Sequence, residues 1–161
     1  MMRIGSGYDL HRFGSGDHVM LGGVRIPHAR GVVAHSDGDV LLHALMDAML
    51  GAAGAGDIGQ HFPPGDARFK GADSRDLLRE VVRIVAARGF ALENCDLTLV
   101  AEVPRIAGHR DAICESIAAA LGIDRSRVNL KATTAEGLGA LGRSEGIAGQ
   151  AIVLLREVDS A

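Results

Sequence analysis

The chain opens with Ile4-Gly5-Ser6-Gly7-Tyr8-Asp9-Leu10-His11, which reads as extended backbone and predicts a strand over residues 2–13. Residues 19–27 read as a hairpin centred near Gly22-Gly23. The period then changes. Over residues 37–52, Val40, Leu41, Ala44, Leu45 and Ala48 fall on one helical face, with Ser36 as the expected N-cap. Asp37 and Asp39 would complement the positive end of that helix. His43 lies one turn after Asp39, off the apolar stripe, which predicts a polar face aimed at a cleft.

Residues 56–66 hold too much Gly, Pro and Asp for regular structure and read as a loop of the kind that covers a site. A second helix is expected from Ser74 through Leu77, Leu78, Val81, Val82 and Val85 to a stop at Gly89. Strands are expected over 95–102, 127–134 and 146–157, with a third helix over 108–121 ending at Gly122. This alternation predicts an α+β fold, an α/β sandwich in which helices cover one face of a mixed sheet beside a small β-hairpin. No linker or composition break divides residues 1–161, so one domain is expected.

Composition narrows the possible partners. Apolar residues make up 47% and charged residues 23%, a globular balance. The net charge is −3, and the chain has no Trp, one Tyr and four Phe. Nucleic-acid binding draws on a basic face and stacking rings, so that partner is not expected. The start of the chain lacks the apolar stretch of a secretory signal, and the longest apolar run, Ala151 to Leu155, is far too short to span a bilayer. Cys95 and Cys114 lack a Cys-x-x-Cys spacing and read as buried thiols. A cytoplasmic location with no membrane partner follows as the expectation.

The candidate chemistry is local. On a strand Asp9 and His11 project from the same face, and His43 supplies a third donor. Two nitrogens and one oxygen suit zinc or a similar divalent ion with one position left for substrate. A second polar stretch, Asn129-Leu130-Lys131-Ala132-Thr133-Thr134-Ala135-Glu136, places two hydroxyls and a carboxylate at a strand end. Arg143 follows in a glycine-rich turn. Such residues fit a polyphosphate with a magnesium ion, and they fit equally a helix N-cap followed by a loop. On the residues alone, the Asp9, His11 and His43 set could serve a zinc-dependent phosphohydrolase that activates water, or a non-catalytic metal- or nucleotide-binding module.

Six blocks in order resemble the 2-C-methyl-D-erythritol 2,4-cyclodiphosphate synthase family of non-mevalonate isoprenoid biosynthesis. They are Arg3-Ile4-Gly5 with Tyr8 to Phe13, Ala34 to Val40, Gly56 to Gly59, Phe69 to Ser74, Lys131 to Glu136, and Gly142 to Ala148. The resemblance covers nearly the whole chain. It implies cyclisation of a CDP-linked methylerythritol 2-phosphate with release of CMP. It further implies zinc on Asp9, His11 and His43, magnesium or manganese at Glu136, and His35 and Thr134 beside the reacting phosphates. Ser36, Asp57, Ile58 and Gly59 would meet the methylerythritol portion, with Phe62 and Asp66 on the adjoining loop. Ala101, Pro104, Arg105, Ile106 and Ala107 would hold the cytidine, with Thr133 and Arg143 also counted among the substrate contacts. A homotrimer is implied, with sites between subunits: Asp9, His11, His35, His43 and Asp57 from one chain, and Thr133 to Glu136 from its neighbour. The chain departs from some relatives at Ser6, where His is expected, at Arg105, where Lys is frequent, and at Ala140, where some carry Phe.

Overall fold

The first strand runs from Met2 to Gly14 (β1), and the computed structural model describes residues 1–158 in all. The hairpin follows as His18–Leu21 (β2) and Val24–Pro27 (β3). Gly22 and Gly23 turn it with φ of 59° and 79°, the backbone that a two-residue hairpin loop requires. A short strand, Gly31–Val32 (β4), pairs with the end of β1. Helix Val40–Ala52 (α1) leads to one turn, Ile58–His61 (α2), and then to Ser74–Ala87 (α3). The chain closes with Phe90–Val100 (β5), Arg110–Leu121 (α4), Val128–Thr133 (β6), Gly139–Gly142 (α5) and Gly146–Glu157 (β7).

The main sheet has the order β4-β1-β7-β5-β6. Only β5 and β6 are parallel, and α4 makes the crossover that a parallel pair needs. The mixed sheet with a separate hairpin is the expected α+β fold. Along β1 the odd residues from Gly5 to Phe13 face the helices, while Ile4, Ser6, Tyr8, Leu10 and Arg12 face away. Glycine at positions 5 and 7 is a packing requirement. A Cβ on Gly5 would stand 2.0 Å from the Ala48 carbonyl oxygen, and one on Gly7 would stand 1.9 Å from that of Ala44. Two bare backbone positions therefore let α1 lie directly on β1. That approach brings His43 beside Asp9 and His11.

Three sequence expectations shift. The first helix begins at Val40, because Gly38 has φ of 72°, and its N-cap is Asp39, which accepts from the Leu42 amide at 3.1 Å; Ser36 does not cap it. That helix is also apolar nearly all round, since the sheet covers one side and α3 the other. Leu41, Leu42, Leu45, Met46, Met49 and Leu50 are fully buried, each contributing about 1.5–3 kcal/mol of transfer free energy. Finally, β5 starts five residues before the expected 95, at Phe90. A bulge between Leu92 and Asn94 breaks the alternation that would have revealed the earlier start.

Candidate active site

Asp9 and His11 extend from the helix-facing side of β1, and His43 comes down from α1 to meet them. Asp9 Oδ2 lies 3.0 Å from His11 Nε2 and 3.0 Å from His43 Nδ1. The two ring nitrogens are 3.3 Å apart. Donor atoms around a tetrahedral zinc, bound at about 2.0–2.1 Å, are spaced by about 3.3 Å, so this triangle has the dimensions of one face of such a site. Among the described residues it is the one cluster of three His, Cys, Asp or Glu side chains able to share an ion.

The electrostatics agree with a shared charge. Burial alone would raise the Asp9 carboxyl, yet hydrogen bonds and charge from His11 and His43 hold it well below the usual carboxylate range. Burial opposes protonation of His43, but the hydrogen bond and charge of Asp9 push its pKa up. Asp39 behaves differently. It is fully buried, accepts from the Gly22, Gly23 and Leu42 amides, and its carboxyl is pushed up to about 6 by desolvation. The polar side expected on α1 thus divides. His43 lines a cleft while remaining 8% exposed, and Asp39 turns inward to fasten the hairpin.

The triad borders a cavity of about 330 Å³ lined by His11, His35, Ser36, His43, Ile58, Gly59 and Phe62. Ala34, Met46, Pro64, Phe69 and Leu77 complete the wall. Residue type gives no sign that Met46 and Leu77 border a cavity, because in a sequence they match core positions on their helices. The expected loop forms one side, with its turns capped by its own carboxylates. Asp57 accepts from the Gln60 amide at 3.0 Å, and Asp66 caps a turn while pairing with Arg68 at 2.7 Å. His35 Nε2 donates to the Asp66 carbonyl at 2.9 Å, tying the loop to the site. The Asp66 carboxylate is therefore occupied by Arg68, away from the cavity wall.

A second cavity, of about 350 Å³, gathers the other set: Ala101, Pro104, Arg105, Ile106, Ala107, Thr133, Thr134 and Glu136, with Glu102 and Arg110. Glu136 has φ of 54°, an uncommon backbone for a non-glycine residue and one concentrated at functional sites. Its turn is pinned from several sides. The Glu136 amide donates to Thr134 Oγ1, and the Ala135 and Gly137 amides donate to Glu102 Oε1 at 2.9 and 3.3 Å. Glu102 lies in the stretch from Ala101 to Ala107 expected to border the cytidine, but its hold on this turn depends on a partner 33 residues away and has no local signal.

The cavities share no residue. Leu10 pairs with Ala148, Ala148 with Val100, and Val100 with Thr133, so triad and threonine lie at the same height of the sheet. They stand three strands apart, about 14 Å. Arg143 joins neither cavity; it is exposed and forks onto Glu145 at 2.9 and 3.2 Å.

A model of the YgbB family matches residues 2–156. The chain belongs to that family. A relative from Pseudomonas aeruginosa (strain UCBPP-PA14), a 2-C-methyl-D-erythritol 2,4-cyclodiphosphate synthase, is 63% identical over 96% of this chain and 98% of its own. A synthase of the same name from Chromohalobacter salexigens is 60% identical over 96% of this chain and 95% of its own. Among solved structures, the bifunctional IspDF of Campylobacter jejuni superposes with a TM-score of 0.95 at 44% identity, covering 99% of this chain and 43% of that one. The IspF of Plasmodium falciparum, solved as a CDP complex, gives 0.86 at 35% identity, with 98% and 97% covered. No helix among the described residues of this YgbB-family chain is long and apolar enough to cross a membrane.

Proposed function

We propose that this chain converts 4-diphosphocytidyl-2-C-methyl-D-erythritol 2-phosphate to 2-C-methyl-D-erythritol 2,4-cyclodiphosphate, releasing CMP. The observation that carries the reading is the Asp9–His11–His43 triangle opening onto a cavity lined by His35, Ser36, Ile58 and Gly59. The 63% identity to a synthase of that name supports the same activity. The 2-phosphate oxygen attacks the β-phosphorus of its own molecule, and the bond from that phosphorus to the CMP oxygen breaks. Such a step needs positioning and charge neutralisation more than a protein nucleophile.

Asp9, His11 and His43 would hold zinc, and Glu136 would contribute to a magnesium or manganese site. These ions would neutralise phosphate charge and polarise the accepting phosphoryl group. The remaining work falls to the chain itself. Thr134 Oγ1 already accepts from the Glu136 amide, which leaves its hydroxyl proton for a phosphate oxygen. His35 stands at the cavity wall with Nε2–H committed to the Asp66 carbonyl, which orients its ring. Ser36 and Asp57 would take the methylerythritol hydroxyls beside Ile58, Gly59 and Phe62. Ala101, Pro104, Arg105, Ile106 and Ala107 would bind the cytidine, where backbone groups can read a base without aromatic stacking.

The separation of the two cavities supports a site shared between chains. One diphosphate cannot reach across about 14 Å of sheet within a chain, so the Thr133–Glu136 turn of a neighbour would complete the triad's cavity. The sheet face away from the helices carries Ile4, Tyr8, Leu10 and Ile152, between 45% and 74% exposed, an apolar surface suited to a partner copy. A homotrimer is the assembly that fits this arrangement. Phosphorus NMR of the chain with the CDP-linked substrate tests the function. CMP with a cyclic diphosphate is expected; CMP with an open-chain bisphosphate would instead identify a phosphohydrolase.

A further inference from the structure

His43 has two ring nitrogens and one proton to place when neutral, and its surroundings choose between them. Nδ1 faces Asp9 and His11. Nε2 faces two hydroxyls, Ser74 Oγ at 3.0 Å and Ser36 Oγ at 3.1 Å. Were Ser36 to donate to Nε2, the proton would sit on Nδ1 and block the donor atom needed for an ion. Ser74 has no such freedom. Its hydroxyl donates to Asp37 Oδ1 at 2.5 Å, so toward His43 its oxygen can only accept.

We propose that Ser74 and Asp37 are positioning residues for the metal centre, forming an Asp37–Ser74–His43 chain that holds His43 with its proton on Nε2 and its Nδ1 lone pair aimed at the ion. Ring orientation by a hydrogen bond at the opposite nitrogen is a general device of imidazole ligands. Here a hydroxyl lies between carboxylate and ring.

The chain is rigid for reasons visible in the fold. Ser74 is fully buried at the first position of α3, capped by Asp73. Asp37 receives the Ser74 amide at 2.9 Å on its second oxygen, so the serine is gripped through both backbone and side chain. The Asp37 amide donates to the Ala72 carbonyl and the Gly71 amide to the His35 carbonyl, fixing the two segments alongside each other. The same proton accounting assigns Ser36 a different part. It accepts from the Gly38 amide at 3.4 Å, and with Nε2–H directed to Ser74 its own proton remains available to the cavity.

The inference rests on the zinc reading of the triad, and the test separates the two. Zinc affinity is measured by competition with a chromophoric chelator at fixed pH, on the full chain, for the parent, Ser74→Ala and Ser36→Ala. Ser74→Ala is expected to weaken zinc by about 10–100-fold and Ser36→Ala by less than about two-fold. A parent that binds no zinc overturns both readings. A parent that binds zinc, with a folded Ser74→Ala that binds it equally, overturns this one alone. Nitrogen NMR of the histidine-labelled, zinc-loaded parent decides the matter even if Ser74→Ala fails to fold. Zinc-shifted Nδ1 with protonated Nε2 on His43 is expected, and coordination through Nε2 would end the proposal.

Discussion

At the scale of single residues, the site depends on where protons and charges are placed. Protons compete with an ion for His43 Nδ1, and Asp9 raises the His43 pKa above the ordinary imidazole value. Zinc binding should therefore weaken as pH falls, beginning above the usual value near 6.5 rather than below it. Chelator competition across a pH series checks this, and a flat profile down to pH 5 would contradict it. His43→Ala should lose stoichiometric zinc with the fold retained, as metal analysis and circular dichroism would report. Glu136→Gln should still bind CDP but lose most of kcat, because its contact matters most where charge develops. Thr134→Ala should lose less, about 1–3 kcal/mol for one hydrogen bond, read from kcat/KM. The triad was legible from residue types and spacing because Asp9 and His11 share a strand face. Ser74 was not, since its role depends on Asp37 meeting it from across the sequence.

At the scale of elements, α1 and β1 act as one unit. A Cβ at Gly7 would meet the Ala44 carbonyl, so Gly7→Ala must push the helix off the strand. Overpacking of this kind costs about 1–3 kcal/mol, and the displacement carries His43 away from Asp9 and His11. Urea unfolding should show the loss, together with weaker zinc binding; unchanged values for both would mean the helix has room to move. The element pattern was readable wherever period and stop signals agreed, as in α3 between Ser74 and Gly89 and in the Gly22-Gly23 turn. It failed where a tertiary partner took over a local signal. Asp37 looks like an acidic residue for the start of α1, and it does accept the Asp39 amide at 3.2 Å, but both its oxygens also grip Ser74 at the start of α3. Asp39 caps α1 and also fastens the hairpin.

At the scale of the whole molecule, two cavities with different chemistry lie three strands apart, and the sheet face away from the helices exposes Ile4, Tyr8, Leu10 and Ile152 among polar side chains. Light scattering should give the mass of three chains. Ile152→Glu, which places a charge on that face, should lower both the mass and the activity. Mixed assemblies test shared sites more sharply: His43→Ala and Glu136→Gln chains, each nearly inactive alone, should regain part of the activity after being dissociated and reassembled together. The separation of triad and Glu136 could not be read from sequence, because strand order is set by pairing between distant segments. The central claim is intramolecular attack by the 2-phosphate, and the reaction run in oxygen-18 water measures it directly. Phosphorus NMR should show CMP and a cyclic diphosphate in equal amounts with no heavy oxygen in either; heavy oxygen in CMP, or in the 4-phosphate of an open-chain bisphosphate, would mean that water, not the 2-phosphate, attacks.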